Sequence, residues 1–122
     1  MFELISQEVR WRAEAVIIMV KVIVLFGNPI DPPGFDQHFE QVHQPLLGKL
    51  PGLQALDINR VSGAAKGDSP FYLIAELCFA SEEAMQSGLN SELGQQMARG
   101  FGSFASGGVT VLFCESYAAE VG

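Results

Sequence analysis

Two histidines, His38 and His43, are the side chains of this chain best suited to proton transfer near neutral pH. Both lie in the segment FDQHFEQVHQPLLGKL, residues 35–50, where apolar residues recur at helical spacing. On a helical wheel, His43 falls within the apolar stripe and His38 falls off it. The stripe consists of Phe39, Val42, Leu46 and Leu50. We therefore expect His43 to face the sheet and His38 to face solvent.

His43 has two interpretations. An imidazole in an apolar pocket can act as a general acid or base, and burial would lower its pKa and keep it neutral unless an acid partners it. Alternatively, His43 is a core residue whose ring hydrogen-bonds to a backbone carbonyl or a neighbouring side chain. Loss of a purely structural histidine would cost ~1–3 kcal/mol of stability and would change ligand binding little.

Polar residues of two predicted strands are candidate partners for His43. Tyr72 and Glu76 share one face of one strand, and Asp57 and Asn59 share one face of the other. The Tyr72 phenol could orient a small aromatic ligand. For Glu76 and Asp57, the alternative is a hydrogen bond at the rim or at a dimer interface. The sequence does not determine which face of these strands packs against the helices.

Four phenylalanines are candidates for lining a pocket, and core packing is the alternative for each of them. They are Phe26, Phe39, Phe101 and Phe104. The two separated histidines fall short of the clusters that bind metals. The glycines of residues 100–108 match neither GxGxxG nor a P-loop. We therefore predict no metal site and no other cofactor.

The elements that would position these residues follow the order β-α-β-β-α-β. Strands are predicted at residues 20–26, 53–61, 71–79 and 109–117. The first helix spans 35–50, with Asp36 as its N-cap and an interruption at Pro45. A second begins after Ser81, and a further helical piece begins at Ser91. This order predicts a ferredoxin-like α+β fold, with a four-stranded antiparallel sheet in the order 4-1-3-2.

The strands are apolar on more than one face. A sheet with one face in water should alternate apolar and polar residues. The strands at 20–26 and 109–117 do not alternate in this way, and the second face of 71–79 is still half apolar. Helices can cover only one face, so a second copy of the same sheet is the simplest cover for the other. The pattern predicts a homodimer formed through the sheet face.

Composition narrows the class of protein further. With 48% hydrophobic residues, the 122-residue chain suits one domain, and its net charge of −7 disfavours nucleic acid and anionic membranes. The apolar run at 15–26 is interrupted by Lys21 and falls short of the ~20 residues of a membrane span. No secretory signal is evident, so we predict a cytoplasmic protein.

We expect Cys78 and Cys114 to be small buried hydrophobes without a disulfide.

Three segments, MVKVIVLFGNP, FDQHFEQVHQPLL and PFYLIAELCFASEEAM, resemble the EthD family of dimeric α+β barrel proteins over residues 19–117. The most specific element is His-x-Pro, here residues 43–45, supported by Phe-Ala-Ser at 79–81. The resemblance implies that two sheets close into a barrel across a dimer and that each protomer holds a cavity between its sheet and helices. Relatives in this barrel class include cofactor-free monooxygenases, isomerases, cyclases, decarboxylases and haem-degrading enzymes.

The candidate residues and the resemblance together are compatible with three functions. The first is a cofactor-independent enzyme, such as an isomerase, lyase or monooxygenase-like protein. It would act on a small apolar carbonyl or phenolic compound, with His43 as acid/base and Tyr72 or a strand carboxylate orienting the compound. The second is a non-catalytic ligand-binding or stress-related dimer, and the third, weaker, is haem binding through His43.

The regions outside the EthD-like segment 19–117 are short. Residues 118–122 form a C-terminal tail. Residues 1–18 precede the point where such proteins usually begin, and Met19 would serve as a natural start. Their alternation of Val9, Trp11, Ala13 and Ala15 with charged residues also suits an extra strand.

Overall fold

The computed structural model describes residues 18–122 as a four-stranded antiparallel sheet with helices packed on one side. The strands are β1 (Met19–Gly27), β2 (Leu53–Arg60), β3 (Phe71–Phe79) and β4 (Val109–Ser116). Their order is β2-β3-β1-β4. The predicted α+β class and strand order are confirmed. The possible strand within residues 1–18 lies, apart from Ile18, outside the described residues.

The connection between β1 and β2 is helical from Pro32 to Leu47. It consists of α1 (Pro32–His38), a π-helical turn (Phe39–His43) and α2 (Gln44–Leu47). The Asp31 carboxylate accepts a hydrogen bond from the Gly34 backbone N–H at 3.2 Å and caps α1. The predicted start at residue 35 with Asp36 as the cap is therefore wrong. Prolines suit a first helical turn because the N–H groups there have no intrahelical partner.

The π-helical turn changes which residues of this segment are buried. The Gln44 N–H bonds to the Phe39 carbonyl, a five-residue step that is wider than an α-helical turn. The buried residues consequently recur at four-residue spacing, as Phe35, Phe39, His43 and Leu47. Val42, which a regular helix would place in the apolar stripe, is 45% exposed. The interruption expected at Pro45 is confirmed, since a residue without an N–H follows the wide turn directly.

The second helical region lies between β3 and β4. It contains α3 (Glu82–Asn90), α4 (Glu92–Gly100) and a short 3₁₀ turn (Phe101–Ser103). The Ser81 and Ser91 hydroxyls cap α3 and α4 by accepting hydrogen bonds from the Ala84 and Gly94 N–H groups, both at 3.1 Å. The predicted N-cap at Ser81 and the predicted start of a helical piece at Ser91 are therefore confirmed. Among residues 18–122, no helix is long and apolar enough to cross a membrane.

The sheet has a helix-covered face and a face on which no described helix packs, called the open face. The helix-covered face carries the buried side chains of Val22, Val24, Phe26, Leu73, Ala75 and Leu77. On the open face, Ile23, Leu25 and Ile74 are half-buried and Leu112 is 49% exposed. The apolar character of both faces of the sheet is therefore confirmed.

The two cysteines lie on the open face. Both Cys78 of β3 and Cys114 of β4 pair with Lys21 of β1, from opposite sides, so one strand separates them. Neither is in a disulfide, as expected. Cys78 is buried, whereas Cys114 is exposed on an edge strand. The expectation that both are buried is wrong for Cys114.

Candidate functional site

An aromatic cluster fills the space between the sheet and the helices, with Phe26 of β1 at its centre. The Phe26 side chain is fully buried, and five aromatic rings lie at centroid distances of 5.4 to 6.1 Å from it. They belong to Phe35, Phe39, His43, Phe101 and Phe104. Edge-to-face and offset contacts at such distances are favourable beyond the area they bury.

His43 is the polar member of this cluster. It is 4% exposed, and its ring centroid lies 5.6 Å from Phe39, 5.3 Å from Phe101 and 5.0 Å from Phe104. Within residues 18–122, none of the side-chain hydrogen bonds involves its imidazole. The sheet-facing orientation expected for His43 is confirmed. Four of the predicted pocket residues, Phe26, Phe39, Phe101 and Phe104, surround it.

Burial, and to a smaller extent the nearby His38, lower the pKa of His43 to about 4. Removing the charged form from water is the main cause, because a low-dielectric surrounding disfavours the imidazolium. At pH 7 the ring is therefore neutral. A neutral imidazole can accept a proton from a ligand or share one in a hydrogen bond.

The imidazole of His38 also packs against Phe104. Their rings stack with centroids 4.4 Å apart and an interplanar angle of 25°. His38 is half-buried, so the expectation that it faces solvent is only partly correct. His38 precedes His43 by five residues across the π-helical turn, and both imidazoles pack against the Phe104 ring.

An open pocket of about 390 Å³ lies beside His38, between the start of α1 and the segment that follows α4. His38, Phe35 and Phe104 supply its aromatic wall. Asp31, Ser103 and Ser106 supply polar groups at the same pocket. The pocket is lined by Phe104 and not by His43, and the Phe104 ring also packs against His43.

Tyr72 lies on the helix-covered side but away from His43. Where Phe26 and Gly27 pair with Leu73 and Phe71, β3 contains an extra residue, Tyr72. A β-bulge of this kind redirects the side chain of the extra residue. The Tyr72 ring packs edge-on against Phe35 at 5.3 Å. The predicted pairing of Tyr72 and Glu76 on one face is therefore wrong.

The Tyr72 hydroxyl donates to the Asp36 carboxylate, at 2.9 and 3.0 Å from its two oxygens. Desolvation raises the pKa of Tyr72, and the hydrogen bond to Asp36 raises it further. Arg60 lies 3.7 Å from Asp36 and also pairs with Glu40. These contacts join α1 and the π-helical turn to the ends of β2 and β3.

Tyr72 also lines a separate, polar surface pocket of about 390 Å³ with Asn28.

Asp57, Asn59 and Glu76 lie on the open face and do not reach His43. The Asn59 amide donates to Glu76 Oε2 at 3.0 Å, and Lys21 Nζ lies 3.5 Å from Glu76 Oε1. Asp57 pairs directly with Glu76 across β2 and β3. The sheet thus separates these three predicted ligand-binding residues from the aromatic cluster.

Sequence reasoning missed two residues of the site, Phe35 and His38. The four-residue recurrence of Phe35, Phe39, His43 and Leu47 was a usable signal for Phe35. Nothing local indicates that His38 stacks on Phe104, because they are distant along the chain. No group of three or more His, Cys, Asp or Glu side chains in the described range is arranged to hold a metal ion.

Comparison with known proteins connects this chain to a family. The model of the EthD domain matches residues 28–108, which include α1, the π-helical turn, β2 and β3 and leave out β1 and β4. An uncharacterized 11.0 kDa protein in the thcB-thcC intergenic region of Rhodococcus erythropolis is 31% identical over 97 residues. That match covers 80% of this chain and 94% of the relative.

Solved structures show the same fold. An ethyl tert-butyl ether d (EthD) family protein from Bacillus halodurans is 33% identical with a TM-score of 0.76, covering 80% of this chain and 98% of its own. A dimeric ferredoxin-like protein of unknown function from Thermobifida fusca is 12% identical, with a TM-score of 0.62 and coverage of 80% and 90%. A hydroxynitrile lyase from Passiflora edulis is 20% identical, with a TM-score of 0.64 and coverage of 80% and 93%.

Proposed function

The chain belongs to the EthD family, and on that premise we propose that it binds a small, largely apolar carbonyl or phenolic compound on the helix-covered side of its sheet. His43 then acts on that compound as a general acid/base. One observation carries the proposal: a neutral imidazole, 4% exposed, lies among aromatic rings and engages in none of the side-chain hydrogen bonds of the described residues. A neutral imidazole that no protein group engages is free to hydrogen-bond to a ligand.

The surroundings of His43 suit proton transfer in a defined direction. The neutral ring accepts a proton from a phenol or from a carbon next to a carbonyl, if that proton lies within hydrogen-bond reach. The imidazolium that forms is disfavoured by the same burial that lowers the pKa of His43 to about 4. Return of the proton to a second position of the compound is therefore favoured. These two proton transfers describe an isomerase that needs no cofactor. In a lyase, the proton would instead go to the leaving group as its bond to the compound breaks.

The aromatic cluster provides the apolar part of the binding site. The rings of Phe35 and Phe104 already line the open pocket, and Phe101 extends the same surface towards His43. Aromatic walls favour ligands with planar apolar bodies. A distant neighbour of the same fold is named a hydroxynitrile lyase, which agrees with lyase chemistry on this scaffold.

The second candidate function is non-catalytic ligand binding by the same protein. It is favoured by the position of the open pocket, which His38 lines and His43 does not. In that case a compound rests against His38 and Phe104 and undergoes no reaction. Turnover that depends on His43 separates the two functions.

We also propose that two copies associate through their open faces. In a single chain, Ile23, Leu25 and Ile74 are half-buried there, and Leu112 is 49% exposed. The ferredoxin-like protein from Thermobifida fusca, which has a similar fold, is a dimer. Glu76 with its partners Lys21 and Asn59 would enter the interface as an already paired group, which limits the cost of burying its charge.

A thermal-shift screen of small phenols, aldehydes and ketones tests the proposal, because a bound ligand stabilises the folded state by RT ln(1 + [L]/Kd). Hits are then measured against His43→Leu, which keeps apolar volume, and against Val42→Ala on the exposed side of the same turn. We expect His43→Leu to abolish turnover, and Val42→Ala to behave as wild type. Unchanged turnover and affinity in His43→Leu would exclude a catalytic role.

A further inference from the structure

The ring of Phe104 contacts both imidazoles of the site. Its centroid is 4.4 Å from the ring of His38 and 5.0 Å from the ring of His43. The same ring lines the pocket together with His38 and Phe35. His43 does not line the pocket, so Phe104 is the residue that touches both the pocket and His43.

Backbone hydrogen bonds hold the chain around Phe104, since the Phe104 and Ala105 N–H groups donate to the Phe101 carbonyl at 3.3 and 2.8 Å. After Phe104, the Ser106 hydroxyl accepts a hydrogen bond from the Ile30 N–H at 2.9 Å, and the Gly108 carbonyl accepts one from the Gly27 N–H at 3.0 Å. Before it, a Cβ at Gly100 or Gly102 would meet no atom within 4 Å. Phe104 itself is half-buried and is positioned by ring packing. A side-chain rotation therefore disturbs no side-chain hydrogen bond of the segment.

We propose that Phe104 is a displaceable wall between the open pocket and His43, and that the ligand's ring takes the position of the Phe104 ring between the two imidazoles. This inference rests on the proposed function and specifies its ligand class. The space between His38 and His43 accommodates one planar ring, so single-ring aromatic or similarly flat compounds are favoured. Residue 104 then determines which ligands reach His43.

Chemical modification with diethyl pyrocarbonate tests the wall without requiring a substrate. The reagent acylates neutral imidazoles that it can reach, and peptide mass mapping reports His38 and His43 separately. In the wild type we expect His38 to react at least about ten-fold faster than His43, because a buried group reacts only through local opening. In Phe104→Ala, we expect the reaction of His43 to accelerate by at least about ten-fold.

Two further variants and a probe make the test specific. Phe113→Ala removes a ring from the exposed part of β4 and should leave both rates unchanged. Phe104→Trp enlarges the wall and should slow the reaction of His43, which keeps the test valid if Phe104→Ala unfolds. Phenol, added at millimolar concentration, should protect His43 in Phe104→Ala by filling the vacated ring position.

Equal modification of His38 and His43 in the wild type would overturn the proposal, as would continued protection of His43 in folded Phe104→Ala. Absence of protection by phenol would refute the ring-replacement part. Because these rates do not depend on turnover, the wall can be established even if His43 proves non-catalytic. Conversely, catalysis by His43 with an unprotected ring would retain the proposed function and eliminate the wall.

Discussion

His43 is a buried imidazole whose surroundings are almost entirely aromatic. The desolvation of this ring destabilises its charged form, so the imidazole is neutral at pH 7. Its ring lies 5.0 to 5.6 Å from the rings of three phenylalanines. A planar ligand that packs against these rings would meet a neutral imidazole, which is the basis of the role proposed for His43.

The titration of His43 gives the first prediction. Its pKa is about 4 in the folded state against 6.5 in the unfolded chain, so the unfolded chain binds more protons between these values. The free energy of unfolding should therefore fall as the pH drops from about 6.5 towards 4. Urea denaturation of wild type and His43→Leu across this range measures the difference, and His43→Leu should lack this component. Identical pH dependence would contradict the low pKa.

Tyr72 gives the second prediction. Its hydroxyl is bound to Asp36 rather than to His43, so we expect it to position α1 against the sheet. Tyr72→Phe should lower the free energy of unfolding by about 1 kcal/mol through loss of this hydrogen bond, and should leave the His43 titration unchanged. Tyr117→Phe, at a side chain 55% exposed, is the matched control and should be neutral. Loss of turnover in Tyr72→Phe without loss of stability would instead support a catalytic Tyr72.

At the level of elements, the strands and caps were predictable because local signals determine them. The strand Phe71–Phe79 was predicted at its observed bounds, and Ser81 and Ser91 cap α3 and α4 as expected. Turn residues bound the strands, and a serine hydroxyl satisfies the free N–H groups at a helix start. Local chemistry was sufficient for these elements.

The π-helical turn and the bulge were not predictable in the same way. A regular helical wheel placed His43 correctly but placed Val42 beside it, because it assumes 3.6 residues in each turn. The bulge that turns Tyr72 towards Asp36 depends on how β3 pairs with β1, which is a tertiary property. The sequence consequently identified His43 and its phenylalanines but assigned it the wrong polar partners.

The close approach of Gly27 and Gly107 gives the third prediction. A Cβ at Gly27 would overlap the Gly107 carbonyl oxygen, whereas a Cβ at Gly102 would meet nothing within 4 Å. Gly27→Ala should therefore destabilise the protein by about 1–3 kcal/mol, as overpacking does, and Gly102→Ala should cost little or nothing. Thermal unfolding of the two variants measures the contrast. Equal stability would mean that the 104–108 segment is not held against β1 as described.

At the level of the whole molecule, the open face gives the fourth prediction. We expect a homodimer at micromolar concentration, because the half-buried Ile23, Leu25 and Ile74 would otherwise remain in contact with water. Ile23→Asp should yield a monomer by light scattering, since it places an unpaired charge in the interface. Val42→Asp, on the exposed side of the π-helical turn, should remain dimeric. A monomeric wild type would contradict the interface.

The proposed dimer interface and the site occupy opposite faces of one sheet. Phe26 of β1 points to His43, while its neighbour Leu25 points to the open face. Association through the open face therefore leaves the pocket beside His38 accessible. A cytoplasmic location remains a prediction from the sequence.

The central claim is that ligands bind beside His43, and chemical-shift mapping of a screening hit tests it most directly. Backbone and imidazole ¹⁵N resonances are recorded as the compound is added to wild-type protein. The account predicts saturable shifts of the His43 ring nitrogens and of the amides of Phe101 and Phe104, with little change at Asp57 and Asn59. Shifts confined to Asp57, Asn59 and the rest of the open face, with the His43 ring unmoved, would contradict it.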